Sequence, residues 1–290
     1  MGIPSYYRNI IQAYPEIIIP CEEFKNSPDN LFLDLNCAIH PCCAGKTDEL
    51  EMYDAIFEKI QECIQITNVR ELVYLAIDGP APRTKMEQQR QRRLKSSQEK
   101  KHWDTNQITP GTPFMNELSK YLHKRCRELK IQWIISDSNE PGEGEHKIMH
   151  YIDTLSEKTI NIVYGLDADL LMLSMIRKHR VFLLRERTEY NIENLETPYV
   201  FCDIQCLKKS LLTTLRKDTI HISNETLLND YLFLCFLIGN DFIINTPSIN
   251  IRYHGLEHLL EVYHTVQGEY FGRFFLIDEK MTINLHYFKA

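Results

Sequence analysis

The sequence has no long hydrophobic run. Its longest, Tyr231 to Ile238, is far shorter than the ~18 apolar residues that a membrane-spanning helix needs. The N-terminus lacks the apolar segment of a secretory signal, and Tyr6 stands where a myristoylation signal has Ser or Thr. These absences predict an intracellular protein with no membrane partner, and we expect it in the cytoplasm rather than the nucleus.

The sequence also lacks any Cys-x-x-Cys pair, although it contains nine cysteines. An odd number of scattered cysteines argues against both a disulfide framework and a structural zinc site. We therefore expect reduced thiols and a reducing compartment.

No internal repeat or low-complexity segment is present. Hydrophobic residues make up 43% and charged residues 25% of the 290 positions, which is typical of a globular protein and excludes a disordered tail or a coiled coil. A chain of this length can bury a substantial core without covalent cross-links.

The positive charge is concentrated in one segment. The formal net charge of the chain is −7, yet eight Lys or Arg residues lie between Arg83 and Lys101, against only Glu87 and Glu99. A basic strip on an acidic body indicates one dedicated site for an anion.

Apolar runs that are typical of buried strands alternate with segments of helical periodicity. The predicted strands are Asn30 to Leu35, Leu72 to Ile77, Ile131 to Ser136, Ile160 to Tyr164 and Val181 to Leu184. This alternation predicts an α/β fold with a mostly parallel central sheet flanked by helices. Residues 186–221 have weaker periodicity and are interpreted as an insertion or sheet edge, while Thr226 to Ile238 is predicted to be a helix capped by Asn224.

Acidic residues follow most of the predicted strands. Because ligands bind at the carboxyl edge of a parallel sheet, acids from separate strands should meet there. The acids that we select as candidates are Asp34, Asp78, Glu143, Glu145, Asp167, Asp169 and Asp241. Asp137 is interpreted as a turn residue, because Ser138 and Asn139 follow it. A helix cap or a turn is the alternative role for any one of these acids taken alone.

Two carboxylates 4 Å apart repel each other by about 4 kcal/mol at an effective dielectric constant near 20, so the cluster requires cations or protonation. Oxygen ligands favour Mg²⁺ or Mn²⁺ over zinc. Two such ions would form a site for the attack of water on a phosphodiester.

A predicted helix follows Asp78 after a short turn. Lys85, Gln89, Arg92 and Arg93 are spaced so that they share one face of it, and Arg and Lys are suited to binding phosphate. A merely solvated helix is the alternative. The proximity to Asp78 favours a phosphate site beside the acidic edge.

Several of these segments together resemble a known family. The motifs are the N-terminal Met1 to Arg8, Leu33-Asp-Leu-Asn36 with Ile39-His40, Asp78 to Arg93, Pro141 to Met149, Tyr164 to Leu170, Leu184-Arg-Glu186 and Phe233 to Phe242. In this order they resemble the Xrn-type 5′→3′ exoribonucleases, which belong to the PIN/FEN-like nuclease superfamily with its Rossmann-like fold.

The resemblance implies a role for each candidate residue. The seven acids would hold two Mg²⁺ (or Mn²⁺) ions, and Lys85, Gln89, Arg92 and Arg93 would bind the 5′-monophosphate of single-stranded RNA. His40 would stack on the terminal base. Cys37 replaces the Gly that the family has after Leu-Asp-x-Asn, and we expect this change to affect packing only.

The resemblance also implies the domain organisation. Residues 1–245 would form the nuclease domain, and residues 246–290 the start of a helical C-terminal extension in which the family's second conserved region is largely absent. We therefore expect a protein partner or a further segment of chain to complete the substrate channel.

The expected function is the hydrolysis of 5′-monophosphorylated RNA to 5′-mononucleotides. Two alternatives stay open: a structure-selective flap endonuclease that acts on DNA, and a catalytically silent RNA-binding scaffold. The first would use the same acids, whereas the second would have no need for all seven.

Overall fold

The computed structural model describes residues 3, 5–97, 103–187, 197–216, 222–240, 243–244, 246, 249–270, 273–278 and 280–289. Its seven strands are β1 (Ile18–Pro20), β2 (Asn30–Asp34), β3 (Leu72–Ala76), β4 (Gln132–Ser136), β5 (Ile160–Tyr164), β6 (Arg180–Glu186) and β7 (Tyr199–Asp203). They form one sheet in the order β1-β7-β6-β5-β2-β3-β4.

Five neighbouring strands, from β6 to the edge strand β4, are parallel. β2 pairs with β3 on one side and with β5 on the other, while β7 runs antiparallel to both β6 and β1. After β2, the chain adds β3 and β4 on one side of that strand. It then adds β5 and β6 on the other side. This reversal of strand order lies between β2 and β5, which is where ligands bind in open α/β sheets.

Helices cover both faces of the sheet. The helices of the described residues are α1 (Tyr6–Ala13), α2 (Asn36–Cys43), α3 (Glu49–Thr67), α4 (Arg83–Ser97), α5 (Pro113–Arg125), α6 (Gly144–Ile152), α7 (Asp169–Met175), α8 (Ile204–Leu215), α9 (Asn224–Leu237), α10 (Gly255–Glu269) and α11 (Leu285–Phe288). α2, α3 and α5 pack on one face, and α1, α6, α7, α8 and α9 pack on the other.

The two-residue period of each strand divides its side chains between these faces. In β2, Leu31 and Leu33 enter the core beneath α3, whereas Phe32 between them enters the core beneath α6. Both faces are covered, so the central strands are apolar throughout, as expected for a parallel sheet.

The predicted fold class is confirmed, and the five predicted strands correspond to β2 to β6 within one or two residues. β1 and β7 were not predicted. β7 also lies between β6 and β1 rather than at the sheet edge. The cap of α9 is Ser223, whose hydroxyl accepts a hydrogen bond from the Thr226 amide, so the prediction of Asn224 as the cap is wrong by one residue.

A third apolar cluster is formed by residues that follow the last strand in the sequence. Leu234 of α9 packs there with Tyr263 of α10 and with Phe274, Leu276 and Ile277. Asp230 of α9 is fully buried beside this cluster. None of the helices in the described part of the chain is both long and apolar enough to span a membrane.

Candidate nuclease site

A cavity of about 450 Å³ lies at the carboxyl edge of the sheet. Its walls come from the ends of β2, β3 and β5, from the starts of α2 and α6, and from one face of α4. The predicted site residues that line it are Asp34, His40, Asp78, Lys85, Gln89, Arg93, Glu143, Glu145 and Asp167. The structure thus brings nine of the twelve candidates, from distant parts of the chain, to one cavity.

Asp34 ends β2 and is 5% exposed. Its Oδ2 accepts a hydrogen bond from the Cys37 thiol at 3.3 Å, whereas its buried Oδ1 has no hydrogen-bond partner among the described residues. Burial, and next the negative charge of Asp78, raises the pKa of Asp34 to about 7. Asp34 therefore lies where a cation would be stabilised.

Asp78 follows β3 and faces the N-terminus of α6. Its Oδ1 accepts a hydrogen bond of 2.7 Å from the Gly144 amide, and its own amide donates to Asn36 Oδ1 at 3.2 Å. A Cβ at position 144 would lie 2.8 Å from Asp34 Oδ1, so glycine permits the close approach of α6 to both acids. Burial raises the pKa of Asp78 despite the helix N-terminus and nearby lysines.

Glu143 joins the acidic and basic parts of the cavity. Lys85 Nζ lies 3.1 Å from Glu143 Oε2, and both side chains are more than nine-tenths buried. Glu143 Oε1 is buried without a hydrogen-bond partner among the described residues. This ion pair attaches α4 to the start of α6.

Glu145 lies on the first turn of α6 and is 6% exposed. Its Oε2 likewise has no hydrogen-bond partner among the described residues. Burial, followed by the charges of Asp169 and Asp34, raises the pKa of Glu145 to about 9. Asp169 is the first residue of α7 and is not among the residues that line the cavity, but its charge reaches Glu145.

Asp167 lies in the turn between β5 and α7. The main chain of this turn is held by two side chains, because Cys37 Sγ accepts from the Leu166 amide at 3.4 Å and Arg185 donates to the carbonyls of Leu166 and Asp167. The expectation that Cys37 affects packing only is therefore incomplete. Its sulfur bonds both Asp34 and this turn.

Gln89 and Arg93 lie on the same face of α4 as Lys85 and line the same cavity. Arg93 Nη2 donates to Gln89 Oε1 at 3.3 Å. Arg92 belongs to α4, but its side chain lies outside the described residues, as does Asp241 altogether. Exposed His40 lies on α2 at the cavity wall.

The acids fit a hard cation by their chemistry. Three buried carboxylate oxygens, of Asp34, Glu143 and Glu145, have no hydrogen-bond partner among the described residues, and such groups are costly to bury without compensation. No three His, Cys, Asp or Glu side chains in the described ranges are close enough together to coordinate a single ion. The acids therefore surround a cavity rather than one preformed coordination sphere.

Sequence reasoning missed several residues of the site. Asn36 positions the Asp78 main chain, and Lys147 Nζ donates to the carbonyls of Ile77 and Asp137 at 2.8 Å each, next to the acids. Thr105, Asn106, Ile108, Thr109 and Pro110 form another wall. Asn36 could have been selected because it is a polar residue shortly after a strand. The sequence has no comparable feature that marks residues 105–110 as part of the site.

Asp137 lies apart from this cavity. It accepts hydrogen bonds from Ser119 and from the amide of Asn139, which is the geometry of a turn. These hydrogen bonds lower the pKa of Asp137 in spite of the opposing effect of its partial burial.

Comparison with solved structures shows that two of them share this fold. The catalytic core of Rad2 in complex with DNA substrate is similar, with a TM-score of 0.51 and 14% identity over 90% of this chain and 67% of that one. Human GEN1 in complex with Holliday junction DNA has a TM-score of 0.52 and 16% identity over 91% of this chain and 55% of that one.

The family follows from sequence comparison. The family model described as the XRN 5′-3′ exonuclease N-terminus matches residues 1–102 and 95–187, and that of the Xrn1 helical domain matches residues 221–288. The chain belongs to the XRN 5′-3′ exonuclease family. The helical match starts before residue 245, where the sequence places a domain boundary, and that boundary stays a prediction.

The curated relatives are longer proteins. The "5′-3′ exoribonuclease 2 homolog" of Drosophila melanogaster is 32% identical over 91% of this chain, and "5′-3′ exoribonuclease 2" of Saccharomyces cerevisiae is 30% identical over 92%. The alignments include 41% and 36% of those relatives. The chain thus spans about two fifths of their length.

Proposed function

We propose that this chain hydrolyses 5′-monophosphorylated single-stranded RNA from its 5′ end and releases 5′-mononucleotides. The observation that carries this proposal is one cavity lined both by the acids and by Lys85, Gln89 and Arg93. Its volume of about 450 Å³ lies within the roughly 300–1,000 Å³ usual for small-molecule sites, which suits one terminal nucleotide.

The basic and the acidic side chains of the cavity have different proposed roles. Lys85, Gln89 and Arg93, with Arg92 from the same helix, bind the terminal phosphate and place the next phosphodiester beside the acids. Asp34, Asp78, Glu143, Glu145, Asp167, Asp169 and Asp241 are the proposed ligands of two Mg²⁺ or Mn²⁺ ions. When bound, these ions supply activation of water and neutralisation of charge at the leaving oxygen.

His40 is proposed to stack on the terminal base, because its ring is exposed at the cavity wall. The proposal predicts that a cap or a triphosphate is too large to fit beside Lys85, Gln89 and Arg93. An RNA with a 5′-hydroxyl would lack the phosphate charge that Lys85 and Arg93 are proposed to bind.

The test compares one RNA sequence with a 5′-monophosphate, a 5′-hydroxyl or a cap, and follows the release of nucleotides. We expect rapid release from the monophosphate alone. Lys85→Met should reduce the preference for the monophosphate over the hydroxyl at least tenfold, since a hydrogen bond to a charged group contributes about 1.5–3 kcal/mol. Arg90→Met on the exposed side of α4 is the matched control.

Equal rates on all three RNAs would contradict the proposed binding of the 5′-phosphate by Lys85, Gln89 and Arg93. Rapid cleavage of a DNA flap with no attack on RNA would instead favour the flap endonuclease. Binding of RNA without cleavage of any substrate in Mg²⁺ or Mn²⁺ would favour the silent scaffold.

Domain organisation, partners and location remain part of the proposal. Residues 1–245 would act as the nuclease domain, and a partner or a further segment of chain beyond the helical extension would complete the substrate channel. Nine free cysteines support a reducing compartment inside the cell, and we place the protein in the cytoplasm rather than the nucleus.

A further inference from the structure

The turn of Leu166 and Asp167 is fixed by side chains from two directions. From one side, Cys37 Sγ accepts a hydrogen bond of 3.4 Å from the Leu166 amide. From the other, Arg185 donates to the Leu166 carbonyl and, through Nη1 at 3.1 Å, to the Asp167 carbonyl. Three main-chain groups of two successive residues are thus bound by side chains from elsewhere in the fold.

Cys37 also connects this turn to β2. Its thiol donates to Asp34 Oδ2 at 3.3 Å while its sulfur accepts from Leu166. A thiol can do both at once, because it has one proton and free lone pairs. The carboxylate at the end of β2 and the turn after β5 therefore share one atom as a hydrogen-bond partner.

Arg185 is itself rigidly placed. It lies on β6, is 5% exposed, and its guanidinium carbon lies 3.9 Å from the ring centroid of Tyr7 in α1. The planar guanidinium can stack on the ring and donate along two fixed directions, which a lysine ammonium cannot do with the same geometry. Its direction toward the two carbonyls is thus set by the packing of α1 on the sheet.

We propose that Cys37 and Arg185 are positioning residues that hold the Leu166–Asp167 turn, so that the Asp167 carboxylate faces the cavity beside Asp34. The inference rests on the proposed function, because it assumes that these two acids bind divalent ions. The family resemblance leads us to expect Gly at position 37, which has no side chain for these contacts.

The experiment measures Mn²⁺ affinity directly, from the loss of the free-ion electron paramagnetic resonance signal, together with kcat and KM on 5′-phosphorylated RNA. Arg185→Lys and Cys37→Gly should each weaken Mn²⁺ binding about tenfold, since the loss of groups that orient metal ligands commonly costs 10–100-fold in affinity. kcat at fixed Mn²⁺ should fall while KM for RNA stays unchanged. Cys37→Ser should recover most of the affinity, because a hydroxyl can also donate and accept.

Matched controls separate positioning from general packing. The control for Arg185→Lys is Arg180→Lys. Arg180 lies on the same strand, stacks on Phe182 and pairs with Asp203. The control for the Cys37 variants is Cys206→Ser, which changes a half-buried thiol of α8. Both should leave Mn²⁺ affinity unchanged. Thermal unfolding in EDTA establishes that each variant is folded.

The possible failures are distinguishable. If the wild-type protein does not bind Mn²⁺, the metal-dependent function is overturned and this inference with it. If the wild type binds Mn²⁺ and folded Arg185→Lys and Cys37→Gly bind it equally well, only the positioning role is overturned. Should Arg185→Lys not fold, the Cys37→Gly and Cys37→Ser pair decides, since equal affinities for these two would contradict the inference.

Discussion

Among the residues that the structure describes, buried acids occur in two regions, and these regions differ in the hydrogen bonds that the acids accept. Asp230 accepts three hydrogen bonds, from the Tyr263 hydroxyl at 2.7 Å and from the amides of Leu276 and Ile277 at 2.8 Å. At the sheet edge, Asp34, Glu143 and Glu145 each keep a buried oxygen without such a partner among the described residues. Both regions are buried, so burial alone does not distinguish a structural acid from a candidate ligand.

Raised pKa values do not distinguish them either. Burial raises the pKa of Asp230 to about 6, although its three hydrogen bonds oppose the shift. The pKa of Asp34 is raised to about 7 by burial and then by neighbouring negative charge. Burial is the main cause of the raised pKa in both acids. The informative difference is that the charges of Asp78 and Asp167 raise the pKa of Asp34 further, whereas Asp230 has only hydrogen-bond donors acting against the effect of burial.

The largest expected effect separates the two regions by activity. Asp34→Asn should lower kcat at least 100-fold, since loss of one electrostatic group at a reaction centre costs 10²–10³ in rate. Its thermal stability in EDTA should be equal to or above that of the wild type, because one of several repelling charges is gone. Asp230→Asn, measured beside it, should keep its activity per folded molecule, and an equal loss in both variants would remove the distinction.

A second prediction concerns the stability that the hydrogen bonds of Asp230 contribute. Asp230→Ala removes the acceptor of one hydroxyl and two amides and should lower the free energy of unfolding by about 3 kcal/mol, as buried donors left without partners cost about 1–3 kcal/mol each. Urea unfolding measures this difference. A loss below about 1 kcal/mol would show that the segment at Leu276 is held by other contacts.

Divalent ions should act on only one of the regions. Mg²⁺ at about 100 times its dissociation constant should stabilise the wild-type protein by ~2.7 kcal/mol, because the ion binds the folded state. The stabilisation should be smaller in Asp34→Asn and unchanged in Asp230→Asn. A rise in melting temperature that is the same in all three proteins would place the ion elsewhere.

The last expected effect is a dependence of stability on pH. Because the pKa of Asp230 is raised to about 6 from its ordinary 3.8, the folded state retains a proton that the unfolded chain releases between these values. The stability contributed by this proton is complete below pH ~4 and is lost as the pH rises through ~6. The free energy of unfolding of the wild type, relative to Asp230→Asn, should therefore fall over this range, by no more than about 3 kcal/mol. An increase over the same range would contradict the raised pKa.

Much of the fold could be predicted because its central strands are buried on both faces. A parallel strand of this kind is a continuous apolar run, and Leu72–Ala76 and Ile160–Tyr164 were predicted to within one residue. β1 gives no such signal, since it has three residues and ends in Pro20. β7 was missed because its short run leads directly into α8, within a segment of weak periodicity.

The part of the candidate site that could be predicted is the set of acids at the carboxyl ends of the strands. Asp34, Asp78 and Asp167 follow three adjacent strands, so the sheet order brings them together. The position of Asp169 outside the cavity lining, the contacts of Cys37 and the wall at 105–110 depend on how loops pack against each other. That information is not contained in the periodicity of any one segment.

The order of strands in the sheet also bears on how the protein is made. Asp34 and Asp78 come from the neighbouring strands β2 and β3, but Asp167 reaches them only when β5 inserts on the other side of β2. During synthesis, which proceeds from the N-terminus, the first two carboxylates are therefore present well before their later partners. The proposed capacity to bind divalent ions should therefore appear as a late event, at the docking of β5, rather than grow gradually with chain length.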